Sequence, residues 1–414
     1  MRAALKGRPV GAMQAHWRRG EGARRLLAAP SNLQRDPLRR DRSDGIDVLR
    51  ALFALWVVLA HLIPWSVFVQ GPEAVPWWIA RGARLVAAVF QPVGELHPAV
   101  LGFIVLSGYC IHRAGLRLPG AGAMTGYGVR RFFRIVPLYY IAIVAGLVGF
   151  ALAMRQAPTA AAALSGTQGI DLGCIAAKAL VLPAFYPGVY ACSFLGNAPL
   201  ATVMVEIVLY LLYAAAFAGL VWRGRERVVW YACGGLFLAS LAMLGQGVGG
   251  GFYGWWQNGS IFGYLPYWWL GVAFVNPAFS RACAGRLWWI VIAWVALGLV
   301  LALTSPPAVL ALAELRKLCF ALGVGILIVA MDNARLAGLG PLALIGRAGY
   351  GLYAIHAPLT YTLAIYGLPW WAVLTTNVLA GLVIHVVIER PLIDLGRLVR
   401  GRLAPPALAV PAAR

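Results

Sequence analysis

Ten times along this chain the sequence runs for about 16 to 26 residues with hardly a charge, which is close to the length of helix needed to cross the roughly 30 Å hydrocarbon layer of a bilayer. These runs fall at 46–65, 97–112, 132–154, 197–222, 228–246, 259–276, 287–304, 316–331, 344–363 and 369–388. A chain that exposed so much apolar surface to water would aggregate, and backbone inside lipid must satisfy its own hydrogen bonds, so helices are expected. The fold class predicted is all-α: a polytopic transmembrane helical bundle of about ten membrane-spanning helices. Composition agrees, with 61% apolar and 12% charged residues among 414. Two further stretches are ambiguous. Residues 172–186 carry Lys178 and end at Pro183 and Pro187, which suits an interfacial or re-entrant segment, and residues 77–93 are interrupted by Arg81 and Arg84.

The formal net charge of +21 raises the possibility of nucleic-acid binding. The distribution argues otherwise. With the N-terminus inside, 28 of the 35 Lys and Arg residues fall in the connections of one side, as the positive-inside rule requires, so both termini are expected to be cytoplasmic. Residues 1–42 read as a basic, disordered cytoplasmic arm, 43–397 as the membrane domain and 398–414 as a cytoplasmic tail. The six cysteines lack CxxC or His-flanked spacing, so no metal site is expected. Cys174 and Cys192 share an outer loop in this topology, where an oxidising surrounding permits a disulfide.

Ionisable or polar residues inside apolar runs each cost about 2.5–3.5 kcal/mol to insert when charged, so each needs a reason. They are Asp47, Arg50, His61, Ser107, Glu206, His356 and His385, with Tyr350 and Tyr353 beside them. Arg50 and His61 are 11 residues apart, close to three helical turns, which puts them on one face roughly 16 Å apart. A neutral imidazole there can take a proton from an attacking hydroxyl, and a hydrogen-bonding role inside the bundle suits His61 equally. Arg130, Arg131 and Arg134 open the third run at i, i+1 and i+4, a pattern that suits phosphate and also suits an ordinary positive anchor. Ser107 precedes Gly108; no GxSxG elbow makes it a nucleophile, and small residues here permit close approach of a helix or a ligand. Glu206 could orient His61 or pair with an arginine, and the residues alone leave both open.

With these residues in view the chain resembles the acyltransferase-3 family of bacterial integral-membrane O-acyltransferases, over roughly residues 43–397. GIDVLRALFALWVVLAH is similar to the family's first-helix signature, an Arg and a His separated by ten residues, here Arg50 and His61. FIVLSGYCI, RRFFRIVPLYY and GRAGYGLYAIHAPL resemble further family segments through Ser107, through Arg130, Arg131, Arg134 and Pro137, and through Gly346, Tyr350, Tyr353 and His356. NAPLATVMVE matches at Asn197, Leu200 and Glu206, with Ala201 and Ile207 where the family usually has Trp and a second Glu; Gly349 replaces a usual Ser. VIERPLIDLGR resembles its closing ExP segment.

The resemblance implies ten core helices, an acyl donor reached from the cytoplasm and a catalytic His61. The expected activity is transfer of an acyl group, acetyl by preference, from cytoplasmic acyl-CoA to a hydroxyl of a cell-surface glycan or glycolipid, in a bacterial inner membrane. His61 and Glu206 are the candidate catalytic residues; Arg50, Ser107, Arg130, Arg131, Arg134, Tyr350 and His356 are the candidate donor- or substrate-binding residues. Acyl-CoA is expected as co-substrate rather than a tightly bound cofactor, and the partners are the acceptor and the lipid bilayer, not nucleic acid. The rival reading is a transporter or flippase for a glycan or lipid intermediate.

Overall fold

The computed structural model describes residues 41–91, 96–115, 121–190, 195–216, 225–245, 251–303, 309–334, 336 and 338–403. Residues 1–40 of the expected basic arm and most of the tail lie outside the described residues. Among those described, every regular element is helical. Each of the ten apolar runs falls on a helix: α1 (Asp41–Gln70), α2 (Pro98–Gly115), α3 (Ala121–Gln156), α4 (Leu200–Ala216), α5 (Glu226–Gly245), α6 (Ile261–Ala273), α7 (Leu287–Leu303), α8 (Val309–Asn333), α9 (Gly349–Ile365) and α10 (Trp370–Ile384). Shorter helices join them, and α10 continues through a π-helical turn, His385–Glu389, into Arg390–Leu403. The ambiguous stretches form separate short helices, Trp77–Phe90 and Leu172–Ala179.

Among the described residues, three helices are long and apolar enough to cross a membrane by themselves, within Asp44–Gln70, Met124–Gln156 and Trp370–Arg402. Pro277–Ala284 and α7, bent by 60° at their junction, raise this to four if they act as one span. Ten crossings exceed what length and composition license for the rest. The reasons are local: α6 has only 13 residues, and α8 carries Glu314, Arg316 and Lys317 within its length.

The core forms where small residues let backbones touch. A Cβ on Gly108 would overlap the Trp268 carbonyl and one on Gly271 would overlap that of Val105, so these two glycines hold α2 and α6 in direct backbone contact. Gly346 does the same for helix Gly340–Arg347 against Asp47 of α1. At the start of α4, buried Asn197 donates from Nδ2 to the carbonyls of Ala354 (2.9 Å) and Ala142 (3.3 Å), which ties α4 to α9 and α3. Cys174 is disulfide-bonded, while Cys192, its expected partner, lies outside the described residues.

Candidate active site

α1, α2, α3, α4 and α9 surround a cavity of about 820 Å³, counting the space at its mouth. Its charged wall is built from Arg50, Arg131 and Arg134. Arg50 lies one turn beyond Asp47 on α1 and pairs with it at 2.7 Å, and its second terminal nitrogen sits 3.4 Å from Cys110 Sγ. Asp47 is in turn approached by Arg347 at 3.7 Å, which the bare backbone of Gly346 brings close. Arg131 is wedged between the rings of Tyr127 and Tyr210, 5.7 and 5.4 Å from their centroids, with its Nε buried and unpaired. Among the described residues neither Arg131 nor Arg134 has a carboxylate at ion-pair distance.

The expected cluster of three arginines is therefore divided. Arg131 and Arg134, at i and i+3, face the cavity. Arg130 does not line it and instead sits by Arg400 of the helix Arg390–Leu403.

A polar cluster adjoins the charged wall through Tyr210. Ser107 Oγ donates to Glu206 Oε1 at 2.8 Å, Tyr210 donates to the same oxygen from the next turn of α4, and Trp268 Nε1 donates to Ser107 Oγ at 3.2 Å. Ser107 and Tyr210 also touch at 2.9 Å. Close packing of α2 on α6 at Gly108 is what brings Trp268 to its neighbour Ser107. The two pairings open to Glu206, with His61 or with an arginine, are both absent among its hydrogen bonds, and its carboxylate organises hydroxyl groups at the cavity wall instead. Tyr350 also lines the cavity and donates to the Ile135 carbonyl at 3.3 Å.

His61 lies beyond the cavity, farther along the face of α1 that carries Arg50. Its Nδ1 is 2.9 Å from the Val57 carbonyl and 3.3 Å from Nε2 of His356. Nδ1 of His356 is 2.8 Å from the Tyr353 carbonyl. A carbonyl can only accept, so in the neutral rings both Nδ1 atoms carry the proton and both Nε2 atoms are bare. The arrangement is self-consistent: the His61 Nδ1–H is shared between the Val57 carbonyl and the lone pair on His356 Nε2. The ring of Trp65, one turn on, packs 4.9 Å from that of His61.

Tyr353 belongs to both places. It lines the cavity, and its ring packs 5.5 Å from Phe103 and 5.7 Å from His356. Tyr353 thus links the arginine-lined cavity to the histidine pair.

A family model for an acyltransferase domain matches residues 43–389, most of the chain. The chain belongs to the acyltransferase-3 family. No curated protein and no solved structure matches it significantly. As an acyltransferase-3 protein built of apolar helices, it is a multi-pass membrane protein of acyltransferase type.

Several residues of this acyltransferase-3 site escape a reading of the sequence. Tyr210 was detectable as the i+4 neighbour of Glu206, whereas Trp268 and Cys110 reach the site only through helix packing. His97, at the start of α2, packs 5.5 Å from Trp56 and lies within electrostatic reach of His61 and His356. His385, singled out in the sequence, is remote from these groups in its bonding: it pairs with Glu389 at 2.7 Å inside the π-helical turn.

Proposed function

We propose that this protein is an O-acyltransferase that takes an acyl group, acetyl in the first instance, from cytoplasmic acyl-CoA to a hydroxyl of a glycan or glycolipid at the other membrane face, in the inner membrane of a bacterium. The ten-helix topology with both termini inside belongs to the same reading and is supported by the arginine distribution. The observation that carries it is the contact of Tyr353 with both the arginine-lined cavity and the His61–His356 pair. A polyanionic donor is drawn to Arg50, Arg131 and Arg134, and its flexible thioester arm extends toward Tyr353.

His61 then acts as general base. Its bare Nε2 takes the proton from the acceptor hydroxyl while that oxygen attacks the thioester carbonyl. The C–O bond forms, the C–S bond breaks, and the departing thiolate takes the proton from the imidazolium, giving an ester and free CoA. Glu206 is a positioning residue in this scheme, holding Ser107 and Tyr210 at the cavity wall. No chemistry beyond proton transfer is asked of the protein.

The test uses the purified full chain in lipid discs with radiolabelled acetyl-CoA and a membrane extract as acceptor. His61→Ala is expected to abolish transfer of label while CoA binding, followed by calorimetric titration, persists. Transfer retained in His61→Ala, or labelled glycan crossing vesicles without acquiring acetyl, would favour the transporter reading instead.

A further inference from the structure

Arg130 and Arg400 present an arrangement that the cavity does not explain. Arg130 comes from the N-terminal part of α3, and Arg400 from the helix Arg390–Leu403 packed along it. They converge over Gly126: a Cβ placed there would lie 3.2 Å from Arg400 Cδ and 3.6 Å from Arg130 Nη1. Arg130 also feels the like charge of Arg131, the next residue and a member of the cavity wall.

Three cations held together normally draw a carboxylate among them, and none is present. Among the described residues neither Arg130 nor Arg400 has an acidic partner; Asp394, the only acid on the same helix, is engaged by Arg397 at 2.5 Å. Two forked guanidiniums with no counter-charge are matched by one phosphate group, which offers several acceptor oxygens and close to two negative charges. Arg400 lies beyond residues 43–389, the part of the chain that the family model covers.

We infer that Arg130 and Arg400 form a phosphomonoester subsite at the rim of the arginine-lined cavity, and that its occupant is the 3′-phosphate of the CoA donor. This rests on the donor reading above. Arg131, Arg134 and Arg50 line the cavity, and Arg130 and Arg400, which do not, adjoin that wall through Arg131. CoA carries its phosphates in order, with the ribose 3′-phosphate at the nucleotide end, the diphosphate next and the thiol at the far end of the pantetheine arm. An arm directed toward Tyr353 leaves the nucleotide at the mouth, where the outermost guanidinium pair meets the outermost phosphate. The phosphate headgroup of an anionic lipid shares this chemistry, so the test separates the two sources.

The experiment compares CoA with dephospho-CoA, which lacks only the 3′-phosphate, by calorimetric titration of the full chain in phosphatidylcholine discs. The wild type is expected to bind CoA roughly tenfold more tightly than dephospho-CoA. Arg400→Gln and Arg130→Gln are each expected to erase most of that preference by weakening CoA alone. Equal affinity for the two nucleotides in the wild type overturns the subsite and leaves the donor reading intact, as does a preference that survives in both variants. A preference that disappears when phosphatidic acid is added to wild-type discs assigns the pair to a lipid headgroup and overturns it too. If neither nucleotide binds, it is the donor reading that fails.

Discussion

Nε2 of His356 stands 3.3 Å from Nδ1 of His61, and each ring's Nδ1 faces a backbone carbonyl about one turn earlier in its own helix. The carbonyls fix both tautomers, and His356 supplies a second acceptor for the proton that His61 must keep on Nδ1 if Nε2 is to act as base. In the proposed reaction His356 thereby takes the orienting part that an aspartate plays in a serine-protease triad, without a negative charge. His356→Phe keeps much of the ring volume and loses the acceptor; kcat is expected to fall roughly tenfold to a hundredfold with KM for the donor little changed. His356→Gln, which returns an acceptor oxygen, is expected to recover part of the loss. Nitrogen-15 spectra of histidine-labelled protein give an independent check: His61 should be protonated on Nδ1 in the wild type, and a proton found on Nε2 would refute the role given to His356.

Arg131 has its Nε buried without a partner among the described residues, while two tyrosine rings hold its plane in position. Charge-assisted hydrogen bonds contribute about 1.5–3 kcal/mol each, so Arg131→Ala is expected to weaken CoA binding by roughly tenfold or more. Arg131→Lys retains the charge without the fork and is expected to fall between. The loss in affinity should shrink as salt is raised, since the donor is a polyanion. Titration of CoA at two ionic strengths measures both effects; an unchanged affinity in Arg131→Ala would remove this residue from the donor site.

Helix placement was legible in the sequence because it depends on local apolar length, and all ten runs fall on helices. The spacing of Arg50 and His61 was legible for the same reason, being fixed by helical pitch alone. What could not be read was which helix lies against which. Glu206 illustrates it: depth along α4 suggested proximity to His61, but the partner of a buried carboxylate depends on the neighbouring helix, and α2 brings Ser107 to it. His356 shows the converse. Its candidate role was donor or substrate binding, and only the packing of α9 against α1 places it on the His61 ring. The arginine triplet was split by a helix, Arg390–Leu403, that lies outside the membrane runs altogether.

Glu206 accepts from two hydroxyls through one oxygen, a role an amide oxygen can also fill. Glu206→Gln is therefore expected to keep thermal stability and most acyl transfer, whereas Glu206→Ala leaves two buried hydroxyls short of an acceptor and costs about 1–3 kcal/mol. Melting curves and transfer assays on the pair distinguish this from a catalytic dyad with His61, in which Glu206→Gln would be as inactive as His61→Ala.

The contact of α2 with α6 admits no side chain at Gly271 or Gly108, because the obstacle in each case is backbone rather than a movable group. Gly271→Ala must force the helices apart, and overpacking of this kind costs about 1–3 kcal/mol. The separation also stretches the Trp268–Ser107 hydrogen bond, now 3.2 Å, so the melting temperature is expected to drop together with donor affinity. Gly323→Ala on α8, where a Cβ meets open space, is the control expected to leave both unchanged.

Tyr353 lines the cavity and packs on Phe103 and His356, so in the proposed reaction it stands between donor and base. On that reading a thioester held on the cavity side is kept from the base until Tyr353 yields, which limits hydrolysis while no acceptor is bound. Tyr353→Ala removes the ring that lies between the cavity and His356. The expected result is a rise in acetyl-CoA hydrolysis without acceptor, measured as thiol release, together with a lower ratio of transfer to hydrolysis when acceptor is present. Tyr353→Phe retains the ring and should behave as wild type. If Tyr353→Ala instead released no thiol in the absence of acceptor yet transferred normally, the ring would not be a barrier, and the thioester would have to reach His61 by a route that avoids this wall.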